Sequence, residues 1–243
     1  MATNYNYFGG IVTNGLVLDL DAAKLASYPG TGTAWRDISG NNNNGTLTNG
    51  PTFSGIGKQA SIVFDGTDDR VTITNPLLSS TGNWTVSSWF NFSVLNIDLT
   101  NGSTAALYNQ YIASTGNGRI VFRIFNDGSV INKLQLFLGS GSNYGNQFIT
   151  GTTTITTNTF YNFVVSRNGS TFTTYINGVL EVSSTLTGIN VTILQSTPEI
   201  GGITSGNFGW LNGRVYNTSI YNRALTEAEI QRNFQATRFR YGI

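Results

Sequence analysis

Two Asn-Gly pairs constrain the fold of this chain more than any other feature of its sequence. Asn168-Gly169 and Asn177-Gly178 each stand between runs in which apolar and polar residues alternate. Asn and Gly tolerate the positive φ angles that type I′ hairpin turns require. We therefore predict a three-stranded antiparallel meander over residues 160–185, with its turns at these two pairs.

The same alternation, with a period of two, recurs along most of the chain. In GLVLDLD it places Leu16, Leu18 and Leu20 on one face of a strand and two aspartates on the other. In the segments NWTVSSWFNF and INKLQLFLG the apolar face holds Trp84, Val86, Phe90 and Phe92, and then Leu134, Leu136 and Leu138. Such alternation is typical of antiparallel sheets with one packed and one solvated face. Strand signals continue without a linker, so we predict one all-β domain, a two-sheet antiparallel β-sandwich of about a dozen strands.

One helix is indicated, near the C-terminal end of the chain. The segment ALTEAEIQRNFQAT offers Thr226 as N-cap and Glu229 three residues later, which together can form a capping box. Leu225 and Ile230 have the spacing of a hydrophobic staple, and a shorter helical turn is a second possibility at residues 21–27. The resulting division is an N-terminal arm (1–14), a sandwich (15–235) and a basic, aromatic C-terminal tail (236–243).

The stretch SGNNNNGTLTNG, residues 39–50, contains four consecutive asparagines and no residue suited to filling a core. Asn adopts the left-handed backbone region more readily than most residues do. We interpret the stretch as a polar turn segment between an early strand and the segment SIVFDG.

Two residue types that carry much enzyme chemistry are absent, because the chain contains no histidine and no cysteine. Their absence excludes Ser-His-Asp and Cys-His catalysis and metal sites built on His or Cys. Charged residues make up only 10% of the chain and the net charge is +1, so no nucleic-acid-binding surface is predicted. Residues 214–240 hold five arginines against two glutamates. This basic end suggests docking to an acidic surface, although solvated arginines are the commoner explanation.

The first ten residues contain no Lys, no Arg and no apolar run. A secretory leader needs a basic start followed by an apolar stretch, and a membrane span needs roughly 20 apolar residues. We therefore expect neither a leader nor a membrane anchor.

The acidic residues suggest two kinds of site. Glycosidases with a β-sandwich fold use a pair of carboxyl groups, but Glu181 and Glu199 each stand without a second acid nearby, so we predict no enzymatic activity. The segment FDGTDDRV gathers Asp65, Asp68 and Asp69, whose oxygens could hold Ca²⁺. We favour a turn in which Asp65 and Asp68 accept hydrogen bonds from backbone amides, and we assign no metal or other cofactor.

Aromatic side chains are the remaining candidates for a binding site, since an exposed ring can stack on a sugar. Trp84 and Trp89 lie on a predicted strand, which favours positions in the core or on a face of the sheet. Trp35, Trp210 and Tyr144, the last in a glycine-rich loop, are therefore the candidate carbohydrate-binding residues.

Six segments follow one another in a recognisable order and spacing. They are GLVLDLDAAKLASYPGTGTAWRDISGNNNNGTLTNGPTF, SIVFDGTDDRVTI, WTVSSWFNF, FYNFVVSRNGSTFTTYINGVL, IGG and LNGRVYNTSIYNRALTEAEIQRNF. Together they resemble the concanavalin A-like, laminin-G-like jelly-roll domains, and NGR…IYNRALTEAEI is the most specific part. The resemblance covers nearly the whole chain from about residue 14. The forms GNNNNGTLTNGPTF and NFQATRFRYGI resemble the version found in virion proteins of tailed bacteriophages.

The resemblance implies a two-sheet jelly roll with a non-enzymatic role on a particle surface; many relatives bind glycans and some bind calcium. Relatives often carry Asp-Glu where this chain has Tyr216 and Asn217. The glycosidase branch carries two glutamates around an aspartate on one strand, a motif that this chain lacks. The resemblance therefore transfers neither a metal site nor a catalytic site to these residues.

The favoured hypothesis is a structural protein on the surface of a bacteriophage virion, assembled in the host cytoplasm as a homo-oligomer, with head decoration as its most direct form. A lectin-like adhesin that binds polysaccharide is the alternative, and an enzyme acting on glycans is the third hypothesis. Aromatic residues and arginine dominate interface anchors, so both chain ends are candidate docking strips onto other virion proteins, unless they pack back over the domain. The candidate partner-binding residues are Tyr5, Tyr7, Phe8, Arg238, Phe239, Arg240 and Tyr241.

Overall fold

The computed structural model of the chain describes residues 9–79, 81–95, 103–111, 119–139, 146–186, 197–202 and 209–243. Within them it forms sixteen β-strands, one α-helix and two short 3₁₀ turns at Gly57–Gln59 and Arg238–Arg240. The strands are β1 (Leu16–Asp21), β2 (Ala34–Trp35), β3 (Gly45–Thr48), β4 (Thr52–Ser54), β5 (Ser61–Asp65), β6 (Arg70–Ile73), β7 (Trp84–Val94), β8 (Ser103–Tyr111), β9 (Arg119–Phe125), β10 (Lys133–Gly139), β11 (Asn146–Thr154), β12 (Phe160–Asn168), β13 (Thr171–Ile176), β14 (Val179–Thr185), β15 (Glu199–Ile200) and β16 (Asn212–Tyr221). The helix, α1, runs over Glu227–Thr237.

The strands form two sheets. Sheet A has the order β14-β13-β12-β7-β16-β5-β4, and β1 also pairs with β16. Sheet B has the order β11-β10-β9-β8-β15-β6-β3-β2. Neighbouring strands in both sheets run antiparallel, as between β7 and β16 in sheet A and between β9 and β10 in sheet B. The predicted two-sheet antiparallel sandwich with a single C-terminal helix is therefore confirmed.

The core lies between the sheets and follows the alternation seen in the sequence. Leu18 and Leu20 of β1 are completely buried in it. The apolar faces of β7 and β10 supply Trp84, Val86, Phe90, Phe92, Leu134, Leu136 and Leu138 to the same cluster. Burial of these faces stabilises the fold by roughly 25 cal/mol per Å² of apolar surface removed from water.

The outer face of sheet A is also covered, which simple alternation does not predict. Helix α1 and the tail lie across this face and bury Trp89, Tyr216, Phe234 and Tyr241 in a separate aromatic cluster. The Trp89 ring lies 4.1 Å from the Tyr241 ring and 5.8 Å from the Phe234 ring, between centroids. The face of β7 that was expected to be wet is therefore packed, because the C-terminal segment returns over it.

The predicted meander is present as β12, β13 and β14, and its second turn has the expected form. Asn177 and Gly178 have φ angles of 51° and 76°, the two positive values of a type I′ turn. The first turn lies one residue later than predicted. Asn168 still pairs with Thr171, so the central residues are Gly169 and Ser170. Only Gly169 of the two has a positive φ, 60°, which fits a type II′ turn.

Helix α1 begins as predicted. The Thr226 side chain accepts from the Glu229 amide, and the Glu229 side chain accepts from the Thr226 amide, while Leu225 and Ile230 pack in one cluster. Asp21 is the last residue of β1, and residues 22–27 form turns, where the Tyr28 amide donates to the Lys24 carbonyl at 2.9 Å as in a single helical turn. No helix in the described part of the chain has the length and apolar character that a membrane span needs.

Candidate functional site

Three of the four tryptophans are buried, and all four lie among the described residues. Trp35 and Trp84 are 0% exposed and Trp89 is 1% exposed, while Trp210 is partly exposed. Stacking on a sugar needs an exposed ring face, so Trp35 is not available for it, contrary to the expectation from sequence. Trp35 is instead part of the core between the sheets. Tyr144 lies outside the described residues.

Trp210 is held at one end of the sandwich by a close approach to a glycine. A Cβ atom on Gly202 would lie 2.0 Å from both Cε3 and Cζ3 of Trp210, so the indole rests directly on the Gly202 backbone. The preceding Gly201, at φ 91°, accommodates the Phe64 ring in the same way. The two glycines therefore let aromatic rings approach the chain where a side chain would exclude them.

Three aspartates gather at the same end of the sandwich. Ligand oxygens of Asp65, Asp68 and Asp69 all lie within 4.8 Å of one another, and the side chain of Asn212 donates to the Asp65 carbonyl at 2.9 Å. Trp210 stands two residues before Asn212. The partly exposed indole and the three carboxylates therefore lie at the same end of the sandwich.

The aspartates form the predicted turn, but one backbone amide donates to a different aspartate from the one expected. The Asp65 carboxylate accepts from the Thr67 amide at 2.8 Å. The second amide, that of Asp65 itself, donates to Asp69 at 3.0 Å, and not to Asp68 as the sequence suggested. Asp69 takes this role because its side chain turns inward and is buried, while Asp65 and Asp68 are exposed.

Burial raises the pKa of the Asp69 carboxyl, and the nearby charges of Asp65 and Asp68 add to the increase. Oxygen donors are the ligands that Ca²⁺ prefers, and it takes about six to eight of them. Two of the three carboxylates already hold the turn, so the cluster provides a minority of such a set. We therefore assign no metal ion to it.

A second exposed aromatic residue lies on the outer face of sheet B, and the sequence analysis did not select it. Phe148 is 49% exposed and its ring stacks on Phe137 with centroids 4.9 Å apart. Beneath them Arg123 is buried, donates to the Gln135 side chain at 2.9 and 2.6 Å, and lies 4.7 Å from the Phe125 ring. Alternation alone could have suggested Phe148, since it shares an outward face with Thr150.

The predicted docking strips have different environments. Tyr5, Tyr7 and Phe8 lie outside the described residues. In the tail, Tyr241 is 5% exposed and Phe239 is 60% exposed. The other two residues are held within the protein: Arg238 donates to Gln235 at 2.6 Å, and Arg240 donates to both carboxylate oxygens of Asp21 at 2.8 and 2.9 Å. The described tail thus packs back over the domain through Arg240 and Tyr241, the alternative that the sequence left open, and leaves Phe239 exposed.

The partner of Arg240 is one of two buried carboxylates on β1. Asp19 and Asp21 are 5% and 2% exposed, although their alternation with leucine predicted a solvated face. Burial raises the pKa of Asp19, an effect that Lys24 and Ser219 oppose. Lys24 lies 3.5 Å from Asp19 and 3.6 Å from Asp21. Asp21 fastens the tail to β1 through Arg240, whereas Asp19 accepts from Ser219 of β16.

The two solitary glutamates are also engaged in contacts. Glu181 accepts from the backbone amides of Thr152 and Thr153, both at 2.8 Å, and so joins the edge strands β14 and β11. Glu199 pairs with Arg70 at 3.3 Å. Neither glutamate belongs to a cluster of acidic groups within the described residues.

Comparison with known families and structures agrees with this fold. A family model described as the concanavalin A-like lectin/glucanases superfamily matches residues 65–231. A comparison with curated proteins finds no match. The matched range runs from the first aspartate of the cluster into helix α1, and so includes Trp210 and the meander.

Solved structures with the same fold include binding domains. Domain 4 of AbnA, a GH43 extracellular arabinanase from Geobacillus stearothermophilus, solved in complex with arabinotriose, has a TM-score of 0.67 at 17% identity; the match covers 89% of this chain and 96% of that domain. The binding domain of Botulinum neurotoxin DC, in complex with rat synaptotagmin II, has a TM-score of 0.70 at 18% identity, with 93% and 52% covered. The binding domain of Paraclostridial Mosquitocidal Protein 1 has a TM-score of 0.66 at 20% identity, with 91% and 52% covered.

At these identities the likeness to solved structures shows the fold alone. The chain spans about half the length of the toxin binding domains and nearly the whole length of the arabinanase domain.

Proposed function

The chain belongs to the concanavalin A-like lectin/glucanases superfamily, and on that premise we propose that it is a non-enzymatic carbohydrate-binding protein. Its sugar site is the end of the sandwich that carries Trp210, Asp65 and Asp68. The observation that carries the proposal is that a partly exposed indole and two exposed carboxylates lie at the same end of the sandwich. A sugar ring presents C–H groups that pack on an aromatic face and hydroxyl groups that donate to carboxylates, and this end offers both partners.

The placement of the carboxyl groups supports binding rather than hydrolysis. Glycoside hydrolysis needs one carboxyl group to give a proton to the leaving oxygen and a second to act on the opposite side of the sugar. Burial raises the pKa of Asp69, the direction that a proton donor needs, but the side chain is buried and accepts a hydrogen bond from the Asp65 amide. This carboxyl group therefore faces away from the solvent that a substrate would occupy.

Titration calorimetry with soluble oligosaccharides tests the proposed site. Arabinotriose is the first ligand to try, because the neighbour that this chain covers for almost its full length was solved with it; a wider polysaccharide panel follows, with and without Ca²⁺. We expect Trp210→Ala to weaken binding by about tenfold or more, roughly 1.4 kcal/mol. The matched control is Phe239→Ala, an exposed aromatic residue elsewhere on the surface, which should bind as the wild type does.

Two results would contradict this assignment. If no glycan in the panel binds with or without Ca²⁺, carbohydrate binding is wrong. If Phe148→Ala abolishes binding while Trp210→Ala does not, the site lies on the outer face of sheet B instead.

We propose further that the protein works on the surface of a bacteriophage particle, as a head-decoration or other outer protein and as a homo-oligomer. The resemblance of GNNNNGTLTNGPTF and NFQATRFRYGI to virion proteins supports this location. Gold-labelled antibody imaging of purified particles tests it. Label over the head indicates decoration, label at the tail tip or fibres indicates an adhesin, and unlabelled particles contradict a virion location.

A further inference from the structure

An exposed apolar and basic surface surrounds the described tail. We call it the tail surface and define it by Lys24, Leu25, Ile56, Lys58 and Phe239. Its three apolar members are unusually open to solvent, with Ile56 96%, Leu25 79% and Phe239 60% exposed. Exposed apolar side chains that gather in one place mark interaction sites more often than scattered ones do.

One cation–π contact and two hydrogen bonds hold the parts of this surface together. The Lys58 ammonium lies 4.8 Å from the centre of the Phe239 ring. Arg240 Nε donates to the Lys58 carbonyl at 2.8 Å, and Gln59 Nε2 donates to the Arg240 carbonyl at 2.9 Å. The turn that carries Ile56 and Lys58 is therefore fastened to the tail segment that carries Phe239.

Buried ion pairs fix the other side of the tail surface. Asp21 accepts from Arg240 and also lies 3.6 Å from the Lys24 ammonium, which brings Lys24 and its neighbour Leu25 next to the tail. Because the attachments come from several directions, Phe239 is presented on an ordered segment. A partner would then lose little conformational freedom of this chain on binding.

The charge of the tail surface is of one sign. The Lys24 side chain is 51% exposed and Lys58 is exposed. The adjacent acids, Asp19 and Asp21, have side chains only 7% and 3% exposed and face inward. Lys24 is already paired with these two acids, so Lys58 is the cation that the tail surface offers a partner beside its apolar groups.

We propose that the tail surface docks a protein partner that presents an apolar side chain flanked by carboxylates. The apolar group would pack on Phe239 and Ile56, and the carboxylates would be attracted to Lys58. Charge complementarity favours this partner over a second copy of the chain, because a symmetric contact centred on Phe239 would bring the two copies of Lys58 close together.

The tail surface is separate from the proposed sugar site. The turn that carries Ile56 and Lys58 precedes β5, and Asp65 is the last residue of β5. A strand of five residues spans about 16 Å. The two sites therefore lie toward opposite ends of one strand, and a protein partner at one leaves the other open. This inference goes beyond the proposed function and does not depend on it.

Fluorescence anisotropy with a labelled, amidated peptide EEDLFEDE tests the proposal on the full chain. The neutral peptide QQNLFQNQ removes the charges, and EEDSSEDE removes the apolar pair. We expect binding of the first peptide only, weakened by added salt, and weakened about tenfold by Phe239→Ser or Lys58→Glu. Phe148→Ser, an exposed aromatic on sheet B, is the matched control and should bind normally.

Several results would overturn the proposal that the tail surface docks a protein partner. Absence of binding by all three peptides, or equal binding of the neutral one, overturns the proposal. Self-association in sedimentation velocity that disappears in Phe239→Ser assigns the surface to a second copy and also overturns it. Oligosaccharide binding of the same variants, measured in parallel, separates failure at the tail surface from failure of the sugar site.

Discussion

At the scale of single residues, the candidate site depends on the close approach of the Trp210 ring to Gly202. Gly202 lies beneath the Trp210 ring, and a Cβ atom there would overlap the indole. The sequence placed Trp210 among the candidate sugar residues but gave no indication of this contact. The ring can therefore take this position only because Gly202 has no side chain.

We predict that Gly202→Ala displaces the Trp210 indole and weakens oligosaccharide binding about as much as Trp210→Ala, roughly tenfold. The indole itself is retained, so the loss would come from its position. Tryptophan fluorescence should report the displacement and calorimetry the affinity. Gly10→Ala is the control, since a Cβ atom there meets nothing within 4 Å. Unchanged affinity in Gly202→Ala would mean that the indole does not contact the sugar.

At the scale of elements, the two turns of the meander differ in a way that can be measured. Both glycines have positive φ, which costs a residue with a side chain roughly 1–2 kcal/mol. A Cβ atom on Gly169 meets nothing within 4 Å, whereas one on Gly178 would lie 2.9 Å from Cδ1 of Phe234 in α1.

We therefore predict that Gly169→Ala lowers the free energy of unfolding by about 1–2 kcal/mol and that Gly178→Ala lowers it by clearly more. The extra loss comes from the disturbed contact with α1. Urea denaturation of the two variants measures both values. Equal losses would show that the turn and the helix are not packed as described.

An ion pair in the first turn of helix α1 makes the stability of the protein depend on pH. Hydrogen bonds from Arg223, at 2.9 and 2.6 Å, and from the Thr226 amide lower the pKa of Glu229 to about 2. An unfolded glutamate has a pKa of about 4.3. The stabilisation by ionised Glu229 is therefore complete above about pH 4.3 and is lost as the pH falls toward 2.

We predict that Glu229→Gln, which can still close the capping box, is less stable than the wild type at pH 7. The difference should shrink as the pH falls from about 4.3 toward 2. Thermal unfolding of both proteins across this range measures it. A difference that stays constant with pH would exclude the pair with Arg223 as its source.

At the scale of the whole molecule, the tail completes the covering of sheet A. Tyr241 closes the aromatic cluster over Trp89, and Arg240 neutralises Asp21, a carboxylate 219 residues away in sequence. Neither contact reaches the core between the sheets. The tail nevertheless joins the last residues of the chain to its first strand.

We predict that Tyr241→Ala lowers the free energy of unfolding by about 3–5 kcal/mol, the usual loss for a buried aromatic side chain. Phe239→Ala, two positions earlier and exposed, should change it by less than about 0.5 kcal/mol. Guanidinium denaturation compares the two. Similar small effects would mean that the tail does not pack on the sheet in solution.

The sequence by itself determined what depends on neighbouring residues. Alternation predicted the apolar faces of β1, β7 and β10, the Thr226–Glu229 spacing predicted the start of α1, and Asn177-Gly178 predicted a type I′ turn. In the stretch 39–50, Asn42 and Asn49 take the expected positive φ angles, 59° and 69°, although Gly45–Thr48 form β3 and Leu47 belongs to the core, contrary to the interpretation of the whole stretch as turns. These features follow from local backbone preferences and from the pleat of a strand, which act over a few residues.

Only the tertiary structure decided what covers each face and which distant groups meet. Alternation gives a residue a side of the sheet, but it does not say whether another element lies over that side. For this reason the outward Trp89 and Asp21 are buried, and Trp35 is enclosed in the core. The candidate site likewise joins Asp65 to Asn212, 147 residues apart, a contact that exists because burying both sheets brings β5 and β16 side by side.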